Sequence, residues 1–160
     1  MDEASLRKHL LDLLRGGGAH LRPDEAFEDL PVRLRGVRPA GAAHTAWQLA
    51  EHLRIAQRDI LEFSRNPKHV SPKFPEGYWP ATEAPPDDAA WNRSLAAFRA
   101  DLESMCALVA DPAKDLFERV DHPEAGDEHT LLREALLVAD HNAYHLGQLV
   151  LLRRLLNAWR

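Results

Sequence analysis

The sequence predicts an all-α protein, and three observations lead to this prediction. Apolar residues recur at spacings of three and four in four segments of the 160-residue chain. No segment shows the sustained two-residue alternation of a half-buried strand. Six prolines fall between residues 67 and 86, where they exclude a regular helix and indicate a long connection between the second and third helical segments. Because the length suits a single core, we expect one domain over residues 1–160.

The first helix is predicted over residues 4–15. Four leucines lie on one face of it, and the glycines at 16–18 end it. The apolar face consists of Leu6, Leu10, Leu13 and Leu14. A polar, proline-containing loop is expected from there to residue 44.

The second helix is predicted from residue 45 to residue 66. Thr45 and Gln48 have the spacing of a capping box, and Asn66 followed by Pro67 stops the helix. Its inward stripe has the helical period and contains Leu49, His52, Leu53, Ala56, Ile60 and Phe63. His52 is therefore expected to face the core.

The third and fourth helices are predicted over residues 88–110 and 130–157. The third has an apolar face without histidine, with an aspartate at 87 or 88 as its cap and Asp111-Pro112 as its end. The fourth is the longest and most apolar, and it carries His141 and His145 within its apolar run.

Charge, cysteine content and the lack of long apolar runs indicate which partners and which cellular compartment to expect. The net charge is -5 with acidic and basic residues interspersed, so the basic stripe typical of nucleic-acid binding is absent and we expect no nucleic-acid ligand. The single Cys106 lies between apolar residues, which predicts a core thiol and a reducing compartment. The first residues lack a signal-peptide pattern and no apolar run is long enough for a membrane span, so a cytoplasmic protein without membrane contact is expected.

The spacing of His141 and His145 indicates a metal site. Residues four apart on a helix project to the same side, so both imidazoles can reach one point. His52 is the best candidate for a third ligand because it alone among the other seven histidines lies mid-helix on a core-facing stripe. The others are near helix ends or in loops: His9, His20, His44, His69, His122 and His129. For any one inward histidine the alternative is a hydrogen-bonded core residue.

Other residues around these histidines have two interpretations each. Gln148, three residues beyond His145, could orient a histidine or a water on the metal, or could bond a neighbouring helix. Asp59, seven residues after His52, could hold a histidine tautomer or pair with an arginine such as Arg153. The aromatic residues could line a pocket over the metal or belong to the core: Trp47, Trp79, Trp91 and Tyr144. Residue 142 is asparagine where the zinc-protease pattern His-Glu-x-x-His has its general base, so peptide hydrolysis by that mechanism is unsupported.

Three stretches of the chain resemble the DinB-like family of four-helix bundles, whose fold also serves bacillithiol transferases and mycothiol-dependent maleylpyruvate isomerase. They are "HTAWQLAEHLRIAQRDILEF" at 44–63, "YWPATEAPPDDAAW" at 78–91 and "LLVADHNAYHLGQLVLLRRLLNAW" at 136–159. The resemblance implies an up-up-down-down bundle with a long proline-rich crossover between helices 2 and 3. It implies a divalent metal, zinc or nickel, bound at the matched positions His52, His141 and His145. It also implies a homodimer.

The resemblance further suggests a metal-dependent S-transferase, in which the ion activates a low-molecular-weight thiol for attack on an electrophilic small molecule. The three histidines are also compatible with a small-molecule metallohydrolase. A non-catalytic alternative is a stress-related bundle in which the metal mainly ties the second helix to the fourth.

Overall fold

The computed structural model describes residues 2–159, which form five α-helices. These are α1 (Glu3–Arg15), α2 (Pro23–Phe27), α3 (Ala46–Arg65), α4 (Asp88–Ala110) and α5 (Leu131–Leu155). Two short 3-10 turns cover Val32–Leu34 and Glu76–Tyr78. Within the described residues the only β pairing is an isolated bridge between Arg119 and Thr130, so the all-α prediction is confirmed.

Side-chain caps set the ends of the long helices close to the predicted positions. The Thr45 hydroxyl accepts from the Gln48 amide at 3.1 Å, and Gln48 Oε1 accepts from the Thr45 amide at 3.0 Å, which is the predicted capping box. Asp87 accepts from the Ala90 amide at the start of α4, and Thr130 caps α5 in the same way. The periodic pattern and the cap chemistry together therefore located the four long helices to within two residues.

The connection between α3 and α4, residues 66–87, runs back along α3. His69, early in the connection, contacts Asp59 in the second half of α3. Thr82, near its end, accepts from the Trp47 indole N–H at 3.1 Å, beside the start of α3. As a result α4 begins at the same end of the molecule as α3.

Contacts between helices give their relative directions. Glu51 on α3 accepts from Ser94, and Arg58, seven residues later, donates to Asp101, seven residues after Ser94, so α3 and α4 run parallel. Arg7 near the start of α1 donates to the carbonyl of Val109 at the end of α4, which makes α1 antiparallel to α4.

The fourth long helix, α5, is antiparallel to α3. Gln57 accepts from Asn142 at 2.8 Å, and His52, five residues earlier on α3, contacts His145, three residues later on α5. The four long helices are thus ordered up, down, down, up. The expected up-up-down-down order is wrong, because that order needs two long crossovers whereas here only the parallel pair α3 and α4 is joined by one.

The segment between α1 and α3 is more structured than the polar loop that was expected. It contains α2 and a 3-10 turn, and its buried apolar side chains include Ala26, Phe27, Leu30 and Leu34. The Phe27 ring meets Trp91 and Phe98 of α4 edge-on at 6.2 and 6.0 Å. Because α1 has 13 residues and α4 has 23, this segment covers the part of α4 that α1 leaves bare.

The apolar core has two parts along the bundle. One surrounds Trp47, Trp91 and Phe98, and the other surrounds Met105 and Val109. Cys106 is buried in the second part, as the sequence predicts. In the described part of the chain, no helix combines the length and apolar character that crossing a membrane requires.

Candidate metal centre

His52 on α3 and His141 and His145 on α5 converge on one point; we call these three residues the histidine triad. The Nε2 atom of His52 lies 3.0 Å from Nε2 of His141 and 3.1 Å from Nε2 of His145. Their potential ligand atoms all lie within 4.8 Å of one another, and His52 and His145 are buried. The antiparallel packing of α3 and α5 therefore brings together the three histidines singled out in the sequence.

Hydrogen bonds on the outer side of the triad fix two of the tautomers. His52 Nδ1 lies 2.9 Å from the carbonyl oxygen of Tyr78, and His145 Nδ1 lies 2.9 Å from Gln148 Oε1. Both oxygens only accept hydrogen bonds, so both Nδ1 atoms carry the proton. The Nε2 atoms of His52 and His145 consequently present lone pairs to the centre of the triad.

This arrangement fits a divalent cation. The Nε2 lone pairs of His52 and His145 face each other across 3.1 Å, and neither nitrogen carries a proton that could form a hydrogen bond between them. This contact is repulsive unless a cation lies between the two nitrogens and accepts both lone pairs. Two nitrogens about 2.1 Å from one ion, at the angles of ordinary coordination, lie about 3.0 to 3.4 Å apart. The separations from His52 Nε2 to the Nε2 atoms of His141 and His145 both fall in this range. His141 Nδ1 is buried without a hydrogen-bond partner among residues 2–159.

Burial keeps the triad neutral. Desolvation lowers the pKa of His52 and of His145 below the ordinary value of 6.5. Burial, with the nearby His145 and His52 rings, lowers the pKa of His141 to about 4. The three imidazoles are therefore uncharged at neutral pH, each with one N–H, and this is the form that binds metals.

Aromatic residues cover part of the triad. Trp79, from the connection between α3 and α4, stacks on the His52 ring with a centroid separation of 3.9 Å and parallel planes. His44 stacks on Trp79 at the same separation. Tyr144 meets His145 edge-on at 4.8 Å, and 64% of Tyr144 is exposed, so solvent reaches this side of the site.

The supporting residues predicted from the sequence have different positions. Gln148 contacts the triad through His145, whereas Asp59 does not contact it. The Asp59 carboxylate accepts from the Tyr78 hydroxyl at 2.6 Å and bonds His69 Nε2 at 2.7 Å, so it is linked to His52 only through Tyr78. Arg153, its suggested partner, donates to the carbonyls of Ala26 and Ala158.

Two contributors to the site were missed in the sequence. The Tyr78 carbonyl is a backbone group, and no side-chain pattern identifies it. His44 was assigned to a loop, and its only signal was its position directly before the capping box of α3. Of the four aromatic residues left open, Trp79 and Tyr144 contact the triad, while Trp47 and Trp91 belong to the core.

Comparison with known proteins agrees with this description. The model of the DinB superfamily matches residues 22–149, a range that contains all three histidines. No curated protein and no solved structure matches the chain. Since the match covers most of the sequence, the chain belongs to the DinB superfamily.

Proposed function

We propose that the protein binds one divalent transition metal through the Nε2 atoms of His52, His141 and His145. The observation that supports this most is the pair of Nε2 lone pairs held face to face at 3.1 Å, with both Nδ1 protons already donated elsewhere. Neutral imidazole suits zinc, nickel, copper and iron alike, and of these we expect zinc or nickel.

We further propose that the protein is a metal-dependent S-transferase that joins a low-molecular-weight thiol to an electrophilic small molecule. When bound, the ion lowers the pKa of a coordinated thiol and so supplies a thiolate near neutral pH. Membership of the DinB superfamily and the number of protein ligands support this function. Structural zinc sites commonly have four protein ligands, whereas three leave a coordination position open.

The residues around the triad have definite tasks in this function. The Tyr78 carbonyl and Gln148 hold two of the imidazoles in the tautomer that binds metal. Trp79 covers the His52 ring and keeps water from that side. The exposed Tyr144 leaves the His145 side accessible to reactants.

A purely structural metal is supported less well. Such an ion would serve to tie α3 to α5, but a buried hydrogen bond from Asn142 to Gln57 already joins these helices. Gln57 also donates to the Phe98 carbonyl at 2.6 Å, which holds α3 to α4. Because α3 is already joined to α5 and to α4 in this way, we favour a catalytic role for the ion.

Metal analysis and activity of the same preparation test the two proposals separately. Protein purified without a polyhistidine tag and supplied with zinc or nickel is expected to bind one ion per chain by mass spectrometry of the elements. The loaded protein is then mixed with bacillithiol, mycothiol or glutathione and monochlorobimane, and conjugation is followed by fluorescence. Absence of bound metal contradicts the metal site, whereas metal without conjugation by any thiol contradicts the transferase.

The variant His52→Ala separates catalysis from stability. Loss of conjugation in a variant that melts at an unchanged temperature supports catalysis. A large loss of melting temperature together with an inactive wild type supports the structural alternative.

A further inference from the structure

A cavity of about 400 Å³, open to solvent on the side of the exposed Leu151 and Leu155, lies beside the triad between residues 41–43 and the second half of α5. This volume is within the range of small-molecule sites in proteins. Its walls are mainly aliphatic, with four leucines: Leu49, Leu151, Leu152 and Leu155. No Asp, Glu, Lys or Arg side chain lines it.

The cavity is connected to the triad through Gln148. This side chain lines the cavity, and its Oε1 accepts the proton of His145 Nδ1. The amide NH2 of Gln148 is then free to donate, because the structure gives it no acceptor within residues 2–159. His44 and Tyr144 also line the cavity, and both contact the triad or its Trp79 cover.

These features together specify the chemistry of a ligand. Aliphatic walls favour an apolar body, since removing apolar surface from water is the main source of binding free energy in such sites. In the metal-free protein a carboxylate or phosphate would lose part of its hydration against these walls without meeting a cationic side chain. A free amide donor at the end nearest His145 instead matches an uncharged acceptor such as a carbonyl oxygen.

We propose that this cavity binds the electrophilic substrate and selects uncharged apolar molecules with one hydrogen-bond-accepting group, which accepts from the Gln148 amide. That the ligand is a substrate rests on the proposed transferase function. Its binding depends only on the cavity. It assigns substrate selection to α3, α5 and the loop at 41–43.

Three probes of similar size test the selection: benzalacetone, which is an uncharged enone; cinnamate, which is charged; and trans-β-methylstyrene, which lacks an acceptor. Binding is measured without added thiol by NMR of protein with labelled leucine methyl groups and glutamine side-chain amides. Benzalacetone is expected to shift the cavity leucines and the Gln148 amide saturably, and cinnamate is expected to bind about tenfold more weakly. The hydrocarbon is expected to shift the leucines but not the amide.

Two variants locate the binding. Leu155→Lys places a cation at the cavity and is expected to reverse the preference toward cinnamate, whereas Leu136→Lys changes another exposed leucine of α5 outside the cavity and is expected to leave it intact. Gln148→Glu keeps an oxygen for His145 and removes the amide donor, so benzalacetone affinity is expected to fall toward that of the hydrocarbon.

The outcomes distinguish this inference from the proposed function. The comparison of the three probes is made on metal-free protein, because a bound ion would itself attract cinnamate. Benzalacetone titrations with and without zinc should agree, so a protein without conjugating activity that still selects benzalacetone retains the cavity assignment. Equal affinity for benzalacetone and cinnamate, or shifts confined to leucines outside the cavity, would overturn it. The inference would also be overturned if the NMR signals of the cavity residues changed when the protein was diluted but not when benzalacetone was added. That result would mean that a second copy of the chain covers this surface.

Discussion

The protein holds two groups of three histidines against the two halves of α3, and the groups differ in what their nitrogens face. In the second group, His69 bonds the Asp59 carboxylate at 2.7 Å and His122 bonds the His69 carbonyl at 2.9 Å. His129 Nδ1 lies 3.1 Å from a carboxylate oxygen of Glu134. Each ring of this group therefore has an oxygen partner, including the buried His122.

The histidine triad has too few such partners. Its members have two oxygen acceptors on the outside, and inside the triad Nε2 atoms face only one another. The two groups therefore differ in one respect: the inward nitrogens of the triad have no oxygen acceptor, and a metal ion would satisfy them.

Removing a histidine from the triad should weaken metal binding, whereas removing one from the second group should not. His141→Ala removes one of three ligands, so zinc affinity is expected to fall by more than about 100-fold. His69→Ala in the second group should leave zinc affinity unchanged, because that ring already bonds a carboxylate. Competition titration with a chromogenic chelator measures both. Equal losses in the two variants would remove the distinction between the groups.

The outer acceptor of His145 should matter next. Gln148→Leu leaves His145 Nδ1 without its acceptor and releases the ring from the metal-binding tautomer, so zinc affinity is expected to fall about 10- to 100-fold. Gln148→Glu retains an acceptor and should restore most of this loss. The same chelator titration applies, and an unchanged affinity in Gln148→Leu would show that Gln148 does not orient the ring.

Acid should destabilise the metal-free triad. Burial lowers the pKa of His141 to about 4, whereas the unfolded chain takes up this proton near pH 6.5. Between these values the unfolded state binds more protons, so the free energy of unfolding falls as the pH is lowered from 6.5 toward 4. Thermal melts of metal-free wild type and His141→Gln across this range should show the smaller decline in the variant. Parallel declines would mean that the His141 proton contributes nothing.

The smallest effect is expected at Tyr78, which contacts both groups. Its carbonyl accepts from His52, whereas its hydroxyl donates to Asp59 in the second group. Tyr78→Phe should therefore cost about 1 kcal/mol of unfolding free energy, measured by denaturant melts, and should not alter zinc affinity. A large loss of zinc in this variant would mean that Asp59 acts on the triad through Tyr78 after all.

The sequence predicted the four long helices because their apolar spacing and their caps are local signals. It predicted α2 as loop because five residues are too few for a periodic pattern, although Phe27 and Leu30 supply core. It also missed the helix order, which depends on where residues 66–87 go. That path is set by distant contacts such as Trp47 with Thr82, and no short stretch of sequence encodes them.

In the site, too, the residues placed by helical spacing could be predicted, and those placed by contacts between distant segments could not. The three histidines follow from helical spacing, and Gln148 follows from its position one turn after His145. Asp59 shares a helix face with His52 but lies two turns away, and it bonds His69 and Tyr78 instead. The stacking of Trp79 on His52 depends on the fold of a connection that has no periodicity.

The Tyr78 carbonyl has one consequence for how the protein tolerates mutation. A main-chain oxygen survives every amino-acid replacement at its own position, so the orientation of the His52 ring depends on the path of the chain and is insensitive to the identity of residue 78. The orientation of His145 depends on a single amide side chain, which one nucleotide change can abolish. Random substitutions should thus inactivate the centre far more readily from the α5 side than from the proline-rich connection.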